Sequence, residues 1–296
     1  MAVEKIQIIE VGPRDGLQNE SVAVTTADKI DLVGRVAAAG VNRIEVASFV
    51  HPGLVPQMAD AEDVVAGLAD GDGMSRIGLV LNQRGLRRAL DTNVDEINFV
   101  VAASEAFSQA NQRASVGETM AATEAMLLEA AAAGMKTTVT ISVAFGCPFD
   151  GEVGIGSVVE LAERSAAAGA DEIALADTIG VAAPNDVVER VAAVSEVLGA
   201  SSLRCHFHDT RNTGVANVVA AVTAGVRAID SSVGGTGGCP YAPNATGNVA
   251  TEDVVYTLHR MGFQTGVDLE EMIGVGHWLG EKLGKSLPAA LGRAGN

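Results

Sequence analysis

The run Cys205-His206-Phe207-His208-Asp209-Thr210 carries the densest chemistry in the chain. It closes an apolar stretch that reads as a β-strand, so His206 and His208, two residues apart, project from the same face. Two imidazoles side by side at a strand end supply half of a divalent-metal site. Oxygen donors that could complete it stand at the two ends of the sequence. Asp15 follows Arg14 after the first apolar run, and Asn248 closes a glycine-rich segment after the last. Imidazole, carboxylate and amide donors together suit Mg2+, Mn2+ or Zn2+. An ion held there would chelate a substrate hydroxyl with a neighbouring carboxylate and lower the hydroxyl pKa. Arg14 beside it would stabilise the enolate oxygen that develops as a C–C bond breaks. Such parts describe retro-aldol or retro-Claisen cleavage of a 3-hydroxy acid derivative, or the reverse condensation.

Donors so far apart in sequence need a fold that gathers strand ends. Short apolar runs predict strands at residues 6–11, 43–47, 77–81, 96–101, 137–144, 172–176, 203–208 and 228–233. Between them, apolar spacing near three and four predicts helices that include 27–39, 118–133, 158–168 and 216–224. Each of these stops on a glycine suited to the left-handed position after a helix: Gly40, Gly134, Gly169 and Gly225. Eight strand–helix units predict a single α/β domain, a (β/α)8 TIM barrel, over about residues 5–262. A C-terminal helical extension, about 263–296, would pack outside the barrel or serve an oligomer contact. An open doubly wound sheet is the competitor, and the first strand–helix loop lacks its Gly-x-Gly-x-x-Gly fingerprint.

In such a barrel the chemistry sits at the C-terminal strand ends. The candidates there are Arg14, Asp15 and Gln18; Glu45 and Ser48; Asn82; Cys147; Asp177 and Thr178; His206 and His208. Strand starts are expected to carry few such groups. Plainer roles stand beside these. Asp15 could be a turn residue after Pro13, and Asp177-Thr178 could cap the following turn. An inward Glu45 would be costly unpaired, which makes Arg14 or the metal its partner. Cys147 and Cys205 read as small buried residues, Cys205 on the face opposite the two histidines. Cys239 differs, because it follows four glycines within five residues. Backbone there is free to approach a ligand, and a thiol near a cation is a competent general acid or base; the alternative is an incidental cysteine on a flexible loop.

Composition narrows the partners. A formal net charge of −17 repels nucleic acid and anionic lipid. No apolar run approaches the ~20 residues that span a bilayer. The start of the chain has no basic and apolar signal pattern, and three scattered cysteines make no disulfide framework. The expectation is a reduced, cytoplasmic protein with neither nucleic acid nor membrane as partner.

Longer motifs carry a resemblance. Val11-Gly12-Pro13-Arg14-Asp15-Gly16-Leu17-Gln18-Asn19-Glu20 is similar to the opening of the hydroxymethylglutaryl-CoA lyase family, in the metal-dependent lyase and synthase barrel superfamily. The likeness continues through Gly146-Cys147-Pro148, Asp177-Thr178-Ile179-Gly180, His206 to Thr210, Gly237-Gly238-Cys239-Pro240-Tyr241-Ala242 and Gly247-Asn248-Val249-Ala250-Thr251-Glu252-Asp253. It implies that Asp15, His206, His208 and Asn248 bind the divalent cation, Mg2+ or Mn2+. It implies that Arg14 contacts the acyl carbonyl, that Cys239 is the catalytic acid or base, and that His206 shares in proton transfer. Gln18, Glu45, Asp177 and Thr178 fall at substrate-side positions. The implied reaction is cleavage of (S)-3-hydroxy-3-methylglutaryl-CoA to acetyl-CoA and acetoacetate, by a homodimer or homotetramer. Condensing synthases share the Arg-Asp opening and the His-x-His but lack the Gly-Gly-Cys-Pro loop. Among the segments that depart from the family, His51-Pro52-Gly53-Leu54 replaces Ser-Pro-Lys-Trp and Arg211-Asn212-Thr213-Gly214 replaces Tyr-Gly-Gln-Ala. Both surround the substrate, so a lyase for another branched 3-hydroxyacyl-CoA or for citramalyl-CoA is the alternative. A non-catalytic barrel is a more distant one. Arg211 would either pair with a substrate carboxylate or sit solvated on the next helix.

Overall fold

The computed structural model describes residues 4–69, 73–238 and 247–294. Eight parallel strands close in sequence order into a barrel. They are β1 (Gln7–Glu10), β2 (Arg43–Ser48), β3 (Ser75–Val80), β4 (Glu96–Ala102), β5 (Lys136–Ser142), β6 (Glu172–Asp177), β7 (Leu203–Phe207) and β8 (Ala228–Ser231). Closure is made by β1 against β8, with Gln7 opposite Ala228 and Glu10 opposite Ser231. All eight expected strands are present, within two residues at both their starts and their ends. The open-sheet alternative is excluded by the β1–β8 pairing.

Helices wrap the outside: α1 (Thr26–Ala38), α2 (Ala61–Gly67), α3 (Gln83–Leu90), α4 (Glu105–Gln112), α5 (Val116–Ala132), α6 (Ile155–Ala167), α7 (Pro184–Leu198), α8 (Gly214–Thr223) and α9 (Thr251–Arg260). The four glycine stops behave as expected, with φ of +100° at Gly40, +77° at Gly134, +97° at Gly169 and +106° at Gly225. Only a residue without Cβ takes those values freely, so each marks where a helix must end and the next strand begin. Outward-facing Val, Ile and Leu of the strands pack against the inner faces of the helices, forming one continuous apolar layer. Among the described residues no helix is long and apolar enough to cross a membrane.

The barrel interior overturns one expectation. Strand starts do carry charge. Arg43, 2 % exposed, donates to Glu96 (2.9 Å from Nε) and to Glu172 (3.0 and 2.7 Å). Thr138 donates to Glu96 at 2.8 Å, and Arg204 stands 3.5 Å from Glu172. These residues come from β2, β4, β5, β6 and β7 and share the inward face at the barrel's lower end. In sequence each looks like a polar flank of an apolar run. Closure turns them into a buried ion network, tolerable because every carboxylate meets a guanidinium.

The C-terminal stretch forms α10 (Leu269–Leu283) and α11 (Ala290–Ala294). Helix α10 packs on the barrel's exterior against α1 and α9. The chain after it also reaches the mouth, where the Ala289 N–H donates to the Gly234 carbonyl (3.0 Å) and Leu287 lies against Gly234. The extension therefore supports the turn that follows β8, in addition to covering the outside.

Candidate active site

Two backbone devices bring the key side chains together. After β1, residues Gly12–Gly16 form a π-type turn in which the N–H groups of Arg14, Asp15 and Gly16 all point at the Val11 carbonyl (3.2, 2.7 and 3.1 Å). This tight turn lifts Arg14 and Asp15 to the barrel axis. On the far side the chain returns beside β7, where the Asp209 N–H donates to Gly247 O (2.8 Å) and the Val249 N–H to Phe207 O (3.0 Å). That pairing sets Asn248 next to His208. Gly237 faces them at φ +119°, where a Cβ would stand 2.5 Å from Asn248 Nδ2. Glycine at that position lets the backbone pass close to the amide.

Asp15, His206 and His208 then present ligand atoms all within 4.8 Å of one another. His208 Nε2 lies 3.8 Å from Asp15 Oδ2. Asn248 Nδ2 donates to that same Asp15 oxygen (2.8 Å) and to Thr236 O (3.0 Å), which fixes the amide's orientation. Its Oδ1 is buried with no hydrogen-bond partner. A buried carbonyl oxygen left unpaired costs free energy, unless a cation takes it. The donor set, one carboxylate, one amide oxygen and two imidazoles, fits a hard-to-borderline divalent ion. All four expected ligands converge.

Charge follows the geometry. Burial alone would raise the Asp15 carboxyl, but Arg14, then His206 and His208, hold it well below the usual carboxylate range. Burial, reinforced by His206, pushes His208 down to about 4, so at neutral pH its ring keeps a lone pair for a cation. For His206 burial opposes the charge, yet the Asp230 hydrogen bond and the charges of Asp230 and Asp15 outweigh it and raise the pKa. Arg14 is clamped from two sides, by Glu45 (Nε to Oε2, 2.5 Å, with NH2 also in contact) and by Asp15 (NH1 to Oδ1, 2.6 Å). Glu45 takes a further bond from Asn98 Nδ2 (2.8 Å), and Asn98 is held by Thr140 (2.8 Å).

A cavity of about 810 Å3 opens above these groups. Its floor includes Arg14, Asp15, His206 and His208, and Gln18 and Thr178 stand in its lining with the apolar Leu81 and Val100. Thr178 also accepts the Val143 N–H (2.8 Å), holding Val143 at φ +50°, a backbone conformation a β-branched residue rarely takes. Asp177 spends both oxygens on the turn after β6, accepting from the N–H groups of Val181 (2.9 Å) and Ala182 (3.0 Å). Arg211 is exposed, as its solvated reading expects, and its NH1 also donates to the carbonyls of Ile179 (3.0 Å) and Gly180 (2.7 Å). Cys147 is buried and accepts from Ser104 Oγ (2.9 Å), and Cys205 is buried too. Cys239 lies outside the described residues. The sequence reading missed Asp230 and Asn98. Each is a polar residue on the inward face of a strand, where period-two alternation puts apolar groups, and that mismatch was their one signal.

The root of the glycine-rich loop is held by two buried acids. Glu10 accepts from the N–H groups of Gly12 (2.7 Å) and Val233 (2.8 Å) and from Thr251 Oγ1 (2.7 Å). Both oxygens of Glu252 accept the Gly234 N–H (3.0 and 2.9 Å). Burial pushes Glu10 up to about 7 and Glu252 up to about 8. A carboxyl raised above its unfolded value adds stability below that value and loses it as pH climbs through the folded one. Unfolding free energy should therefore fall between about pH 4.5 and 8. In Glu252→Gln the slope should be shallower, by up to one proton's worth, about 1.4 kcal/mol per pH unit. Urea titrations of both proteins across this range would show it, and parallel slopes would refute it.

The chain matches the HMGL-like family model over residues 5–278. It belongs to that family. It is 41 % identical to hydroxymethylglutaryl-CoA lyase YngG of Bacillus subtilis over 286 residues, 97 % of this chain and 96 % of that protein. It is 39 % identical to (R)-citramalyl-CoA lyase of Chloroflexus aurantiacus over 303 residues, 99 % of this chain and 96 % of that one. An HMG-CoA lyase structure from Acinetobacter baumannii, in complex with coenzyme A and 3-methylmalate, superposes with a TM-score of 0.95 at 37 % identity, covering 99 % of this chain and 95 % of the other. Relatives on both sides of the substrate question thus share the whole barrel. The Arg14-Asp15 turn and the His206/His208 pair are, in this family member, parts of one site.

Proposed function

We propose that the protein is a divalent-cation-dependent carbon–carbon lyase that cleaves (S)-3-hydroxy-3-methylglutaryl-CoA to acetyl-CoA and acetoacetate. The observation that carries the cation is the buried, partnerless Oδ1 of Asn248 beside Asp15, His206 and His208. Those four residues would hold Mg2+ or Mn2+, which supplies, when bound, polarisation of the substrate's hydroxyl and carbonyl oxygens. Arg14, fixed by Glu45 and Asp15, stands ready to stabilise the thioester enolate oxygen. In the cleavage the C2–C3 bond breaks. Its electron pair becomes the acetyl-CoA enolate, the C3 hydroxyl loses its proton as the ketone forms, and one proton returns to the enolate carbon. Cys239, which follows Gly238 in sequence, is the group we assign to that proton traffic, and we assign His206 a share in it. Support for the thioester substrate is the likeness to the coenzyme A complex and to the Bacillus subtilis enzyme. Free, buried thiols at Cys147 and Cys205 suit a cytoplasmic protein, and a homodimer or homotetramer is the assembly we propose for it.

The test is acetyl-CoA release from the purified protein with Mg2+ or Mn2+ and with EDTA. Cleavage should be abolished by EDTA and restored by metal. Mn2+ at about 100 times its dissociation constant should add about 2.7 kcal/mol to folding stability. Metal-independent cleavage, or none, refutes the reading. The second reading is the same cleavage on citramalyl-CoA or a longer branched acyl group, favoured by the Chloroflexus aurantiacus relative. A comparison of kcat/KM across those thioesters separates the two.

A further inference from the structure

We infer that Asp230 is a positioning residue for His206, and that Arg204 holds Asp230 in that task. Asp230 lies on β8 directly opposite His206 in the β7–β8 register and is 4 % exposed. Its Oδ2 stands 3.2 Å from His206 Nδ1, and its Oδ1 stands 3.2 Å from Arg204 Nε. Arg204 precedes His206 by two on the same strand, so both point into the barrel, and Arg204 is 1 % exposed. Below it come Glu172, Arg43 and Glu96. The column contains two buried guanidiniums against three carboxylates. Lys136, 3.8 Å from Glu96, adds a third cation at the lower end, and at the upper end Asp230 Oδ2 meets His206.

An imidazole carries one proton when neutral, and its hydrogen-bond partner decides which nitrogen bears it. A carboxylate can only accept, so Asp230 keeps the proton on Nδ1 and leaves the Nε2 lone pair for the mouth. The contact also orients the ring, and the charge of Arg204, paired with Asp230 at 3.2 Å without a hydrogen bond, keeps that carboxylate ionised beneath it. With Nδ1–H tied in this way, His206 serves as a ligand and Cys239 becomes the main proton carrier. The consequence for metal affinity rests on the cation reading above, while the tautomer itself does not.

The experiment has two arms. In the metal-free full-length protein labelled with 15N-histidine, at alkaline pH where the ring is neutral, His206 should show a protonated Nδ1 and a bare Nε2. A proton on Nε2 would overturn the inference without any variant being made. In Asp230→Asn, whose amide can donate to Nδ1, the tautomer should switch and Mn2+ should bind about 10- to 100-fold more weakly by electron paramagnetic resonance. A merely structural Asp230 would lower the melting temperature and leave the His206 signals in place, and that outcome overturns it as well. If the unaltered protein bound no Mn2+, the cation reading would fail and the tautomer would still decide the role of Asp230.

Discussion

Asp15→Asn is expected to bind Mn2+ about 10³-fold more weakly and to lose cleavage activity to at least the same degree. Among the described residues that cluster at the ligand site, Asp15 is the one anionic donor; His206, His208 and Asn248 offer neutral atoms. A unit charge about 4 Å from another contributes ~4 kcal/mol at the effective dielectric of a partly buried site, which corresponds to roughly 10³ in affinity. The carboxylate is ionised throughout the working pH range, because Arg14 and the two histidines hold its pKa low against burial. No pH adjustment should therefore rescue the variant. The amide is nearly isosteric and Arg14 keeps its Glu45 partner, so the fold should survive. Manganese titration followed by electron paramagnetic resonance, with kcat at the highest soluble Mn2+, checks both parts. Wild-type affinity in Asp15→Asn would mean that the cation, if any, sits elsewhere.

The barrel was legible because its signals are local and repeated. Each Ala-Gly stop reports a helix end, and each apolar run a strand, independently of the other seven units. The metal ligands were legible for a related reason: strand ends of a barrel are the place where unpaired polar residues are tolerated, so Asp15 and the His-x-His stand out. What stayed hidden depends on register. Arg43, Glu96, Glu172, Arg204 and Asp230 are scattered over nearly 190 residues of sequence and become one column only when the barrel closes with its particular stagger. Asp177 shows the opposite limit. Its position at a strand end suggested a role toward substrate or turn alike, and the two backbone N–H groups it accepts put it on the turn. No spacing rule separates those roles, because both want an acid one residue past the strand core.

Arg14 offers the sharper separation of chemistry from architecture. Arg14→Met is expected to lower kcat by about 10² to 10³ through loss of the enolate's donor. It should also destabilise the fold by about 3–5 kcal/mol, because Glu45, 1 % exposed, would stay buried with its guanidinium gone and Asn98 as its remaining support. The two effects have different remedies. Adding Glu45→Gln neutralises the stranded carboxylate and should recover most of the stability, but it cannot return a cation to the enolate oxygen, so kcat should stay low. Arg14→Lys tests the geometry of the charge. Lysine restores a cation as a point rather than a fork and cannot reach Glu45 and Asp15 together. Its kcat and kcat/KM should fall in parallel, the mark of an interaction made in the transition state alone. If the Met/Gln double variant regained activity along with stability, Arg14 would be a strut for Glu45 and the enolate would have to find its stabilisation in the ligand set of Asp15, His206, His208 and Asn248 alone.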